Sequence, residues 1–212
     1  MIPFVTPTMA KVLRRMAIGK VRLPGLVLPP EGEKRIYLTF DDGPFDETTP
    51  RVLDMLARHG VAATFFLVGR QVEKLPAIAE RMAREKHCIA NHTYSHLRLL
   101  QSSLETQLED IHRCQEAIAP YGAARIFRPT HGLMNPGLYR ALRRQDFGIS
   151  FWTLDSQAER NASPMATPAE ILGRSGTSEI LLMHDDSEAD LSWLEQILAA
   201  GRSRGFTFGT LS

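Results

Sequence analysis

The sequence predicts an α/β fold, a (β/α) barrel of about seven parallel strands, on three observations. Short runs rich in β-branched and aromatic residues alternate along the chain with longer segments of helical period, the pattern of strands joined by crossover helices. A capping residue stands directly before a proline at Thr49-Pro50, Asn135-Pro136 and Thr167-Pro168, as it does where helices begin. Polar residues fall at the ends of several different strands. An open sheet would gather few of them, whereas a barrel collects every strand end on one rim.

From Met1 to Lys20, the residues Met9, Val12, Leu13, Met16 and Ala17 keep helical spacing after Thr8, which predicts a short amphipathic helix with a basic face. It is expected to pack on the domain, with weak membrane-surface contact as the alternative. Lys11, Arg14 and Arg15 interrupt the place of a signal-peptide core, and no stretch reaches the roughly 18 apolar residues of a membrane span. The expected compartment is the cytoplasm, with membrane-surface association or unconventional export as alternatives. Residues 1–30 are read as this helix and a Pro-rich connector, Leu23 to Pro30, and residues 31–212 as one domain.

Strands are predicted at Ile36 to Phe40, Thr64 to Val68, His87 to Ala90, Ile126 to Phe127, Ile149 to Leu154, Ile180 to Met183 and Phe206 to Phe208. Helices are predicted at Thr49 to His59, Pro76 to Glu85, Ser103 to Ala119, Pro136 to Gln145, Pro168 to Gly173 and Asp190 to Ala200. With 212 residues, 43% of them hydrophobic, the chain has room for one substantial core. Its 25 Lys and Arg against 24 Asp and Glu create no field that would favour nucleic acid. Cys88 and Cys114 form no disulfide framework and no CxxC motif; they are expected to be buried thiols, a single bridge between them being left open.

Four segments carry chemistry. In Thr39-Phe40-Asp41-Asp42-Gly43-Pro44 two carboxylates meet at a strand end, so one can bind a metal while its neighbour handles a proton; taken alone, this is also ordinary turn chemistry. Asn91-His92-Thr93-Tyr94-Ser95-His96 sets two imidazoles four residues apart, able to reach one cation from a helical turn or a compact loop. Two imidazoles and a carboxylate leave coordination positions open, which suits a hydrolytic zinc site and equally a non-haem iron(II) oxygenase. The strand Glu179 to Asp185 delivers His184 to the rim, where an imidazole can protonate a leaving group. In Phe127-Arg128-Pro129-Thr130-His131-Gly132 the guanidinium of Arg128 can hold a carboxylate ionised and oriented.

TFDDGP, NHTYSH, RPTHG and ILLMHD in this order make the chain resemble the NodB-homology polysaccharide deacetylases, carbohydrate esterase family four, from about Arg35 to the C-terminus. The resemblance implies a distorted (β/α) barrel and a hydrolase that removes N-acetyl groups from amino-sugar polymers or oligosaccharides, of chitin type or peptidoglycan glycan. It implies Asp41 as general base, and Asp42, His92 and His96 as ligands of a divalent metal, usually zinc, with Co2+, Ni2+ or Fe2+ as alternatives. It further implies a backbone N–H at His131 for the oxyanion, His184 as the acid, Arg128 orienting Asp41, and Leu182 lining the acetyl pocket.

Two departures stand out. Thr130-His131 replaces the usual Pro-Tyr, which alters the groove wall and leaves a backbone donor in place. After the fifth predicted strand, Ala158 and Glu159 stand where the family commonly has Asp-Trp. The missing Asp commonly supports the catalytic histidine, so Asp155 is the candidate substitute, with Glu159 behind it. Trp152 and Tyr94 are the candidate aromatic walls for the sugar. Alternatives to polymer deacetylation are a deacylase or deformylase of a small glycolipid or nucleotide-linked sugar, and a metal-retaining carbohydrate-binding pseudoenzyme.

Overall fold

The computed structural model describes residues 24–29, 32–163, 165–175 and 177–211. The helix expected between Met1 and Lys20 lies outside them. In chain order the first half runs β1 (Leu26–Val27), β2 (Arg35–Asp41), α1 (Thr49–Arg58), β3 (Thr64–Leu67), α2 (Gly69–Lys74), α3 (Pro76–Arg84), β4 (Cys88–Asn91) and α4 (Leu104–Ile118). The second half runs β5 (Ile126–Phe127), α5 (Pro136–Arg143), β6 (Gly148–Ser150), β7 (Leu154–Asp155), α6 (Ser156–Ala162), α7 (Pro168–Gly173), β8 (Glu179–His184), α8 (Glu188–Ser203) and β9 (Thr207–Gly209).

All the strand pairs are parallel. The sheet order is β1-β6-β5-β4-β3-β2-β8-β7, with β9 added beside β2. This curled sheet wrapped in helices is the distorted (β/α) barrel that the sequence predicts. Parallel strands buried on both faces read as near-continuous apolar runs, and in β2 every residue after Arg35 is buried. Alternate residues face opposite ways. Ile36, Leu38 and Phe40 join Leu53, Leu56 and Leu194 in the layer between sheet and helices. Tyr37, Phe66, Ala90, Ile126 and Ile180 turn inward and plug the barrel, where Leu211 and Trp152 also pack. At roughly 1.5–3 kcal/mol for each large apolar side chain fully buried, these layers hold the rim residues in place.

The structure corrects four local expectations. The Pro-rich connector contains β1, which pairs with β6, and prolines at positions 24, 29 and 30 confine it to a short strand. The single strand expected from Ile149 to Leu154 is two strands, β6 and β7, on opposite sides of the opening in the barrel. Residues 151–153 cross that opening, with the Thr153 amide donating to the Ile180 carbonyl at 2.9 Å. The helices α2 and α6 were not expected, being short and without a strong apolar stripe. Asn135 and Thr167 cap their helices, Thr167 in a full capping box with Glu170, whereas Thr49 lies inside α1. Its hydroxyl accepts from the Phe45 amide at 2.8 Å and donates to Asp185.

Candidate active site

Successive inward positions of β2 pass from Tyr37 through Thr39 to Asp41, from apolar plug to polar rim. Arg128, completely buried just past β5, lies across this level. Burial of an unpaired guanidinium is costly, and four acceptors compensate it. Its Nη1 donates to Asp41 Oδ1 at 2.8 Å and to Thr39 Oγ1 at 2.7 Å, and its Nη2 to Phe151 O at 3.0 Å and Ser150 Oγ at 3.3 Å. The plane also lies over the Phe66 ring at 4.0 Å. One residue therefore orients the Asp41 carboxylate and holds the segment that crosses the barrel opening.

The backbone carbonyl of the same arginine lies 2.8 Å from His92 Nδ1. A carbonyl only accepts, so Nδ1 carries the proton and neutral His92 presents a lone pair on Nε2. That lone pair faces Asp42 Oδ1 at 3.3 Å, and His96 Nε2 lies 3.0 Å from the same oxygen. Asp42 Oδ1 is buried and makes no hydrogen bond. Acceptors gathered without a shared proton are a site for a cation, and the ligand atoms of Asp42, His92 and His96 all lie within 4.8 Å of one another. Carboxylate and imidazole donors fit a divalent ion of the zinc type with positions left open. Burial pushes the Asp42 carboxyl up, but the close approach of the His92 and His96 imidazoles outweighs it and holds the group well below the usual carboxylate range.

His92 and His96 share a compact loop rather than a helix. Asp110 on α4 gathers it: Oδ1 accepts from the Tyr94 amide at 2.8 Å and the Ser95 amide at 3.1 Å, and Oδ2 from the Ser95 hydroxyl at 2.7 Å. Asn91 Oδ1 accepts from the Thr93 amide, and its Nδ2 donates to the Ile111 carbonyl. Sequence reasoning missed Asp110, because an acidic residue amid an amphipathic helix carries no distinguishing signal. Of six non-glycine residues with positive φ among the described residues, four are Asp42, Thr93, His96 and His131. Such conformations cost about 1–3 kcal/mol each and persist where the surroundings over-determine them, often at functional sites.

His184 closes β8 opposite Asp41 in the register, with Nε2 3.8 Å from Asp42 Oδ2. Leu182 is buried on the same inward face. His131 sets its ring edge-on to His96 at 5.0 Å between centroids; burial, then the charges of His96 and Arg98, push it towards its neutral form. Trp152 packs against Gly132, where a Cβ would meet the indole at 2.7 Å. Two candidates are engaged elsewhere. Asp155 spends its carboxylate capping α6, accepting from the Ala158 amide at 2.9 Å, because its extended backbone sits at the N-cap. Glu159 faces Arg174 at 4.0 Å. Among the described residues His184 therefore makes no side-chain hydrogen bond. Tyr94 is held beneath Arg113 and donates to Glu73 at 2.7 Å, its ring against the helix-side core. Cys88 and Cys114 are free thiols.

A family model described as polysaccharide deacetylase matches residues 29–149, more than half of the chain. The chain belongs to the polysaccharide deacetylase family. Peptidoglycan-N-acetylglucosamine deacetylase of Bacillus cereus is 33% identical over 189 residues, covering 86% of this chain and 68% of its own. Chitooligosaccharide deacetylase of Azorhizobium caulinodans is 28% identical, covering 85% of this chain and 94% of its own. A peptidoglycan-N-acetylglucosamine deacetylase of Listeria monocytogenes is 30% identical, but the chain spans only 43% of its length. Among solved structures, a peptidoglycan N-acetylglucosamine deacetylase in complex with 4-naphthalen-1-yl-N-oxidanyl-benzamide superposes with a TM-score of 0.77 at 31% identity, over 86% of this chain and 88% of that one. The family 4 carbohydrate esterase of Streptomyces lividans in complex with acetate has a TM-score of 0.75 at 28% identity, over 84% and 93%. Among the described residues, no helix of this deacetylase-family chain is long and apolar enough to cross a membrane.

Proposed function

We propose that this chain is a metal-dependent hydrolase that removes N-acetyl groups from amino-sugar polysaccharide or oligosaccharide, of chitin or peptidoglycan type. The observation that carries the proposal is the orphaned Asp42 Oδ1 facing the bare Nε2 of His92, with Asp41 and His184 on either side. Asp42, His92 and His96 would hold the cation, zinc being the first expectation and cobalt, nickel or iron(II) the alternatives. A divalent cation there supplies Lewis-acid activation of water and of the acetamide carbonyl.

The residues divide the remaining work. Asp41, aimed by Arg128 at 2.8 Å, takes the proton of the attacking water. The backbone N–H of His131, turned by a φ of 57°, donates to the oxyanion. His184 gives a proton to the departing amine, and acetate and a free amino sugar result. Leu182 and Trp152 bound the space for the acetyl methyl and the sugar.

The test is acetate release from chitin-type and peptidoglycan oligosaccharides by zinc-loaded protein. Asp41→Asn is expected to lower kcat by about 10²–10⁴-fold while zinc still binds. A second reading, a carbohydrate-binding protein that keeps the metal without turnover, is favoured by His184 having no carboxylate hydrogen-bonded to its ring among the described residues, Asp42 lying 3.8 Å away on the metal side. Well-folded, zinc-loaded protein that binds these glycans and releases no acetate would establish that second reading in place of the first.

A further inference from the structure

A cavity of about 550 Å³ opens beside Asp42 and His184, between α6 and the start of α8. Its volume is that of a small-ligand site, roughly 300–1,000 Å³. Most such sites are lined by apolar and aromatic side chains, but here Gln157, Arg160 and Asn161 face Asp186, Ser187 and Asp190. A wall of amides, hydroxyl and ions recognises a ligand rich in hydroxyl and amide groups through hydrogen bonds rather than ring stacking. The α6 wall occupies the stretch where this chain departs from the Asp-Trp pattern, and Asp155 caps that helix.

Charge decides which sugar fits. The charge of Arg160 is paired within the wall: Nη2 donates to Asp190 Oδ1 at 2.6 Å and the guanidinium lies over the Trp193 ring at 5.3 Å, while Nη1 is buried and makes no hydrogen bond. The other Asp190 oxygen takes the Ser187 hydroxyl at 2.6 Å. Asp186 is exposed and forms no ion pair among the described residues, so with Asp42 assigned to the cation and Asp190 paired with Arg160 it is the wall's unpaired carboxylate. An anionic substituent would meet a like charge there, whereas hydroxyl, acetamide or ammonium groups would not.

We infer that this cavity seats the sugar unit next to the one being deacetylated, and that it selects a neutral or ammonium-bearing amino sugar over a carboxylate-bearing one. The inference rests on the amino-sugar reading of the site. It makes Asp186 a specificity-determining residue, and Gln157 and Asn161 the groups that read the neighbouring unit.

The experiment compares a tetramer of N-acetylglucosamine with an equally long oligomer whose alternate units carry a lactyl-ether carboxylate. Affinity is measured on Asp41→Asn protein, and kcat/KM on the wild type. At low salt both are expected to favour the neutral tetramer by about tenfold. Asp186→Asn or high salt should bring that ratio near unity, and Gln157→Ala with Asn161→Ala should raise KM for the tetramer more than it lowers kcat. Equal affinity for the two oligomers, a preference for the acidic one, or a ratio unmoved by Asp186→Asn overturns the inference. Preferential binding of the neutral tetramer without any acetate release supports the cavity's selectivity and counts against hydrolysis alone.

Discussion

At the scale of single residues, two buried ionisable groups show how the site is held. Arg128 is tolerated in the core because Asp41, Thr39, Ser150 and Phe151 take both of its terminal nitrogens, although its Nε is left without a partner. Asp185 is the second, with no exposed surface and only the Thr49 hydroxyl on one oxygen. Burial pushes its carboxyl up, the Thr49 bond opposing, to about 7 from an ordinary 3.8. Below that ordinary value both folded and unfolded chains hold the proton. Between 3.8 and about 7 the unfolded chain ionises while the folded chain keeps its proton, so this group's contribution to stability falls as pH rises across that window. Asp185→Asn, which preserves an acceptor for Thr49, is expected to flatten the decline of thermal midpoint over that window. Equal slopes in wild type and variant, measured by circular dichroism, would refute the assignment. The motif residues themselves were legible because each combines a chemical type with a strand end. Arg128 was legible as an arginine, but its four-way role was not, since Ser150 and Phe151 reach it only through the fold.

At the scale of elements, α4 shapes the histidine loop. The His92 and His96 pair was visible as a spacing that fitted either a helical turn or a loop. Tertiary contacts chose the loop, because Asp110 collects the amides of Tyr94 and Ser95. Asp110→Ala is expected to weaken zinc binding by about 10- to 100-fold, as for other residues that orient metal ligands from behind, with helix content unchanged. Titration calorimetry that finds zinc affinity intact would show the loop to be set by Asn91 and Thr93 instead. The element α6 teaches the opposite lesson. Asp155 looked available for His184, yet a short helix begins there and its first amides claim the carboxylate. A seven-residue helix with little apolar periodicity leaves too faint a pattern to be anticipated.

At the scale of the molecule, the barrel gathers groups from β2, β4, β5 and β8 on one rim while the chain spans its own opening at residues 151–153. The cation proposed for Asp42 and the two histidines would tie β2 to the loop after β4, a site that exists only in the folded form. At a hundredfold excess over Kd, zinc is expected to stabilise the protein by about 2.7 kcal/mol, roughly 5–10 °C in Tm. Chelator should reverse the shift, and His92→Ala should abolish it in a thermal melt. A zinc-induced shift of equal size in that variant would place the binding elsewhere.

The sequence by itself determined the α/β class, the parallel strands, the helices with proline-marked starts and the set of motif residues. These depend on local period, capping and residue chemistry, which neighbours in sequence supply. Tertiary structure alone decided that the run from Gly148 to Asp155 divides between opposite sides of the barrel opening, that Asp110 governs the histidine loop, and that Asp155 is unavailable to His184. Each of these depends on which distant backbone amide or carbonyl lies within hydrogen-bond reach, and that distance exists only once the sheet has curled.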